Sequence, residues 1–231
     1  MLSSPNASAA RGELCQSGHP LTTLDTPFLC LVTDRNRCRG LDLEEVVDQA
    51  VTHGVGMVQL REKDMPPGDL YDLGARVKEA IAGRAHLIIN DRIDVALAVE
   101  ADGVQLPEDG APVAEARRTV GPNMLIGRSV HSIGGAIEAE SSGADFLIAG
   151  TIFPSASHPD GPAQGTDFLR ALCREVSIPV LAIGGVTSEN VVDVMEAGCS
   201  GAAVISAISE AKEPGSAAGT LLNEMARVSA T

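Results

Sequence analysis

Three groups of residues have types and spacings that could do chemistry. The first is His131, which follows the apolar run in Ile126-Gly127-Arg128-Ser129-Val130-His131-Ser132. An imidazole titrates near neutrality, so where a buried strand meets a loop it could take a proton and return it. A histidine that only caps a loop would look the same. The second is Ile183-Gly184-Gly185-Val186-Thr187. Glycine has no Cβ, so backbone amides there can approach an anion closely. Ser206, at the end of the next apolar run, could donate to the same oxygens. A tight turn would also use such a glycine pair. The third is Arg61 and Lys63, which close the run Val58-Gln59-Leu60. Residues two apart on a strand share a face, so both could hold an anion while Glu62 turns away. A solvated charge run is the competing reading.

The elements that must position these residues alternate regularly. Short apolar runs at 28–33, 58–60, 86–89, 103–106, 124–130, 146–153, 179–183 and 202–205 read as strands. Helical spacing follows each, at 43–53, 70–81, 93–99, 113–120, 137–142, 168–176, 191–197 and 217–228. Pro66-Pro67-Gly68 reads as a break, and Pro154 to Gly165 as a long polar loop. Eight strand–helix pairs over short loops imply parallel pairing and an α/β fold, a single (β/α)8 TIM barrel over residues 28–231. The joints Ala101-Asp102-Gly103-Val104, Gly143-Ala144-Asp145-Phe146 and Gly198-Cys199-Ser200-Gly201 echo one another, as repeated units should. An open doubly wound sheet is the second reading, but it would want a glycine-rich loop where Thr33-Asp34-Arg35-Asn36 stands. Aromatic residues make up only 2% of the chain, so aliphatic side chains must build the core, which suits buried parallel strands.

Composition narrows the partners. A net charge of −14 repels nucleic acid and anionic membranes, which are excluded as partners. Five cysteines with no CxxC spacing fit reduced thiols and a cytoplasmic location better than zinc or a disulfide framework. No run is apolar enough to span a membrane. Residues 1–27 are rich in Ser, Ala, Gly and Thr, lack a secretory apolar stretch, and read as a disordered tail.

A barrel of this kind carries its site at the C-terminal ends of the strands. The polar residues there are Arg61, Lys63, Asn90, Asp91, Gln105, Ser129, His131, Ser155, Ser157 and His158, with Gly184, Gly185 and Ser206 after the last two strands.

Val58-Gln59-Leu60-Arg61-Glu62-Lys63, Asn90-Asp91, Ile183-Gly184-Gly185-Val186-Thr187 and Val204-Ile205-Ser206-Ala207-Ile208 together resemble the thiamin phosphate synthase/TenI family, over about residues 28 to 210. The resemblance implies one of two activities. Synthases condense hydroxymethylpyrimidine pyrophosphate with a thiazole phosphate, use Mg²⁺ and release pyrophosphate. TenI-type members are thiazole tautomerases, which aromatise a carboxylated thiazole phosphate by proton transfer without metal. Gly110 stands where synthases are similar in carrying a Mg²⁺-binding Asp, with Asp109 beside it. His158 stands where they carry a lysine that neutralises pyrophosphate. Gln105-Leu106-Pro107 and the segment ending His131-Ser132 resemble the TenI type. The expected function is therefore a thiazole tautomerase, an isomerase needing no cofactor. His131 would carry the proton. Gly184, Gly185 and Ser206 would bind the thiazole phosphate, and Arg61, Lys63, Asn90, Gln105, Ser129, Ser155, Ser157 and His158 would contact the rest of the ligand. The alternative is a synthase whose Mg²⁺ is held by Asp91, with Ser155 and Ser157 cradling pyrophosphate. A third reading is a regulatory protein that binds the phosphate ligand without catalysis, since fold alone does not imply activity. The resemblance also suggests self-association into a homo-oligomer.

Overall fold

The eight aliphatic runs become strands because Val, Ile and Leu fill a pleated surface that is covered on both faces. They are β1 (Phe28–Val32), β2 (Met57–Leu60), β3 (His86–Asn90), β4 (Gly103–Leu106), β5 (Leu125–Val130), β6 (Phe146–Ala149), β7 (Val180–Ile183) and β8 (Gly201–Val204). In this computed structural model, which describes residues 27–155 and 163–229, each strand pairs in parallel with the next, and β1 also pairs with β8. The sheet is closed into the expected (β/α)8 barrel. The helices are α1 (Leu43–Thr52), α2 (Pro67–Ile81), α3 (Ile93–Ala98), α4 (Val113–Val120), α5 (Ile133–Ser141), α6 (Gly165–Glu175), α7 (Val191–Glu196), α8 (Ser206–Ser209) and α9 (Pro214–Ser229). The expected tail, 1–27, lies outside the described residues apart from Pro27.

Strand alternation divides the core in two. Outward residues such as Leu29, Leu31, Val58, Leu60, Ile89 and Val104 pack beneath the helices. Inward residues Phe28, Cys30, Val32, Met57, Ile88, Leu125, Phe146, Ile148, Leu181 and Ala203 fill the barrel. The repeated joints recur as a repeated bond. Asp102 accepts from the Leu87 amide at 2.8 Å, and Asp145 from the Ile126 amide at 2.7 Å. Each carboxylate thereby satisfies the amide near the start of the strand before its own.

Several boundaries differ from expectation. β6 stops at Ala149, and the chain then runs along the end of β7, where Ile152 and Phe153 donate to Ile183 and Gly184. Proline at the first helical position leaves no donor unsatisfied, so Pro67 opens α2 rather than breaking the chain. Ser132 caps α5 by accepting from the Gly135 amide at 3.1 Å, so that helix starts earlier than the apolar spacing suggests. Among the described residues no helix is long and apolar enough to cross a membrane.

Candidate functional site

The strand ends surround a cavity of about 620 Å³. The last inward-facing residues of the strands form its floor. On the β2–β5 side the floor is amide and hydroxyl. Gln59 Nε2 donates to Asn90 Oδ1 at 3.0 Å, and Gln105 Nε2 donates to Ser129 Oγ at 3.0 Å. On the opposite side it is aliphatic, made by Val32, Ile148, Ile183, Ala203 and Ile205. The polar half is strictly packed. A Cβ on Gly127 would lie 1.9 Å from Gln105 Oε1 and 2.3 Å from the Phe146 ring, so only glycine admits that glutamine. Gln59 Oε1 is buried with no hydrogen-bond partner, and Gln59 lines the cavity. A buried acceptor without a donor costs free energy.

Two rims bear on anions. Arg61 and Lys63 line the mouth above β2, and neither side chain has a hydrogen-bond or ion-pair partner among the described residues. Across the barrel, Gly184 and Gly185 take φ angles of +98° and +63°, a backbone region that favours glycine. Asn190 fixes this turn, donating to the Gly185 carbonyl at 3.0 Å and accepting from the Thr187 amide at 2.9 Å. Ser206, exposed at the start of α8, lines the same rim.

The remaining expected residues divide. Ser155 lines the cavity. Ser157 and His158 lie outside the described residues. Gln105 is buried in the floor beneath the lining. Asp91 ends β3 in a left-handed conformation, φ +64°, with its amide bonded to the Gln105 carbonyl at 2.8 Å. It is exposed and is not among the lining residues, whereas Asp109 is. His131 lines the rim, and Glu108 holds its Nδ1 at 2.6 Å and its backbone amide at 3.2 Å. Arg128 ties down the same β4 loop through the carbonyls of Ala111 and Glu108, at 2.9 and 2.7 Å.

Sequence reasoning passed over Gln59, whose inward direction depends on the barrel's register. It also passed over Arg35. That guanidinium, in the loop after β1, binds Glu62 and Asp64 together. The bond to Arg35 pulls the Asp64 carboxyl down to about 2. Below the floor, burial pushes the Cys30 thiol up to about 12 against a backbone hydrogen bond from Gln59.

A family model described as thiamine monophosphate synthase matches residues 29–208, nearly all of this barrel. The chain belongs to the thiamine monophosphate synthase/TenI family. Within that family it is 43% identical to the thiamine-phosphate synthase of Chloroflexus aurantiacus over 193 residues, covering 82% of this chain and 88% of the relative. It is 41% identical to the thiamine-phosphate synthase of Haloarcula marismortui over 196 residues, covering 83% and 93%. The solved thiamine phosphate pyrophosphorylase of Pyrococcus furiosus superposes with a TM-score of 0.80 at 38% identity, over 87% of this chain and 96% of that one.

These relatives overturn the expected thiazole tautomerase, and the isomerase assignment with it. The role expected of His131 belonged to that reaction and goes with it. The structure gives physical reasons why the sequence misled. The Gly110 amide donates to the Pro107 carbonyl at 2.9 Å and closes a tight turn, and that turn still presents Asp109 to the mouth. Losing a carboxylate at position 110 therefore does not strip this loop of acid. The segment around Arg128 and His131, which most resembled the TenI type, anchors the β4 loop.

Proposed function

We propose that this chain is a thiamin phosphate synthase, a transferase that joins a thiazole phosphate to hydroxymethylpyrimidine pyrophosphate and releases pyrophosphate. The observation that carries the reading is that two separate sets of groups able to donate to anions, Arg61 with Lys63 and Gly184-Gly185 with Ser206, line one cavity over a shared floor. A condensation of two phosphorylated substrates needs both. In this reading Gly184, Gly185 and Ser206 hold the thiazole phosphate through backbone amides and a hydroxyl. Arg61 and Lys63 face the diphosphate and stabilise the charge that grows on it as the carbon–oxygen bond breaks. Ser155 lines the mouth between the two. The floor, amide on one side and aliphatic on the other, suits flat heteroaromatic rings.

The synthase reading implies Mg²⁺. This ion binds through one or two carboxylates together with substrate phosphates, keeping waters elsewhere. A carboxylate that faces the mouth, Asp109, fits that pattern. Asp109 would hold the ion from the mouth, whereas Asp91, the ligand expected from the sequence, lies outside the lining. When bound it neutralises charge on the diphosphate. Asn90, Gln105 and Ser129 keep the floor in register. A cytoplasmic location and a homo-oligomer belong to the same proposal, as does catalysis by residues 28–231 alone.

The test supplies both substrates with Mg²⁺ and measures thiamin phosphate and pyrophosphate together. Equimolar release at about 1 per second or faster is expected, and EDTA should abolish it. No thiamin phosphate under these conditions would refute the reading.

A further inference from the structure

Arg61 and Lys63 alternate along the chain with two carboxylates, Glu62 and Asp64. In a chain of net charge −14, the simplest outcome would be mutual neutralisation. The structure avoids it by drawing both carboxylates onto one guanidinium. Arg35 Nη1 donates to Glu62 Oε2 at 2.9 Å and to Asp64 Oδ1 at 2.7 Å, while Nη2 donates to Asp64 Oδ2 at 2.6 Å. The Arg35 amide also donates to Glu62 Oε1 at 3.1 Å. Thr33 completes the joint. Its Oγ1 donates to Glu62 Oε1 at 2.7 Å and accepts from the Arg61 amide at 2.9 Å. Glu62 is buried in consequence, with its side chain 2% exposed, whereas that of Asp64 is 68% exposed.

The geometry has two effects. Residues 62–65 form a turn beyond the end of β2, and with residues 62 and 64 tied to one point, Lys63 between them lines the mouth. The acid that would otherwise quench Arg61 and Lys63 is also occupied elsewhere. A forked guanidinium can bridge two carboxylates in this way, and an ammonium cannot do so with the same geometry. We propose that Arg35 is a positioning residue, which holds Glu62 and Asp64 aside so that Arg61 and Lys63 stay clear of these two carboxylates and directed at a diphosphate. The proposal deepens the synthase reading and rests on its assignment of Arg61 and Lys63.

Inorganic pyrophosphate is the probe, titrated calorimetrically into the full chain with Mg²⁺ present. Arg35→Met should weaken its binding by about tenfold or more, because Asp64 is released beside Lys63. Adding Asp64→Asn to Arg35→Met should recover most of that loss. The second change removes the released charge and restores no packing, so a merely structural role for Arg35 would not be rescued by it. Asp64→Asn alone should leave binding within about twofold, as befits an exposed ion pair. In turnover, Arg35→Met should raise KM for the pyrimidine pyrophosphate and leave KM for the thiazole phosphate unchanged. If Arg35→Met fails to fold, Arg35→Lys decides, with a loss of about threefold or more expected. Wild-type affinity in the deciding variant, or a loss that Asp64→Asn does not relieve, overturns the proposal while the synthase reading stands. If the unaltered protein binds no pyrophosphate, the assignment of Arg61 and Lys63 fails, and the proposal fails with it.

Discussion

Gly185→Ala should uncouple the phosphate rim from an otherwise intact barrel. Residue 185 has φ +63°, which costs a residue bearing a Cβ about 1–2 kcal/mol. The larger effect is steric. The new Cβ would lie 2.4 Å from the Pro154 carbonyl oxygen and 2.9 Å from Phe153 Cβ. Normal contact requires one side to retreat by roughly 1 Å. The glycine turn is held by Asn190, so the displacement falls on the Phe153–Ser155 segment, which also serves the cavity. A misplacement of about 1 Å near reacting groups can cost about 100-fold in rate. Gly83→Ala is the matched control. It sits at the opposite end of the barrel with φ +72° and nothing within 4 Å of an added Cβ. Both variants should melt about 2–8 °C below the parent, since both carry the left-handed strain. Only Gly185→Ala should lose kcat/KM for thiazole phosphate, by about 100-fold with the pyrimidine substrate saturating. If Gly185→Ala keeps kcat/KM within about twofold of Gly83→Ala, the close approach at Pro154 is irrelevant to the site and the reasoning is wrong.

Ser206→Ala should raise KM for thiazole phosphate about tenfold, the worth of one hydrogen bond to a charged group, with kcat little changed; an unaltered KM would place the phosphate elsewhere. Arg35 depresses the Asp64 carboxyl to about 2, so this ion pair is intact above the ordinary carboxylate range and is lost only as pH falls toward 2. Carbon-13 NMR should find the Asp64 midpoint near that value, and a midpoint near 4 would show that the pair does not persist in solution. Cys30, raised to about 12 by burial, should resist iodoacetamide at pH 8 in the folded protein and react in urea. Peptide mapping that finds Cys30 alkylated as fast folded as unfolded would contradict its enclosure.

Much of this was legible because strands buried on both faces are predominantly aliphatic, and such a run recurs at each unit of the barrel even where Gln59, Gln105 or Arg128 interrupts it. The Gly184-Gly185 pair was legible for the same kind of reason, since both residues take backbone angles that other side chains avoid. What escaped depended on distance along the chain. Arg35 meets Glu62 and Asp64 across 27 and 29 residues, so no local spacing announces them. Gln59 needed the inward register of β2. Helix α8 has only four residues, too few for any periodicity. Gly110 and His131 misled because what their neighbours do depends on the folded loop. A neighbouring Asp109 faces the mouth, and the histidine is held by a loop glutamate.

The two rims proposed to hold the substrates' phosphates are built from different strands, β2 on one side and β7 with β8 on the other, above a common floor. For inhibitor design this means that a flat ring system carrying an acidic group at each end can engage both rims at once. Once one end is seated, the second binds at the high effective concentration set by its tether, so the combined affinity multiplies beyond that of either half. A compound bearing only one acid would gain none of this, whichever rim it chose.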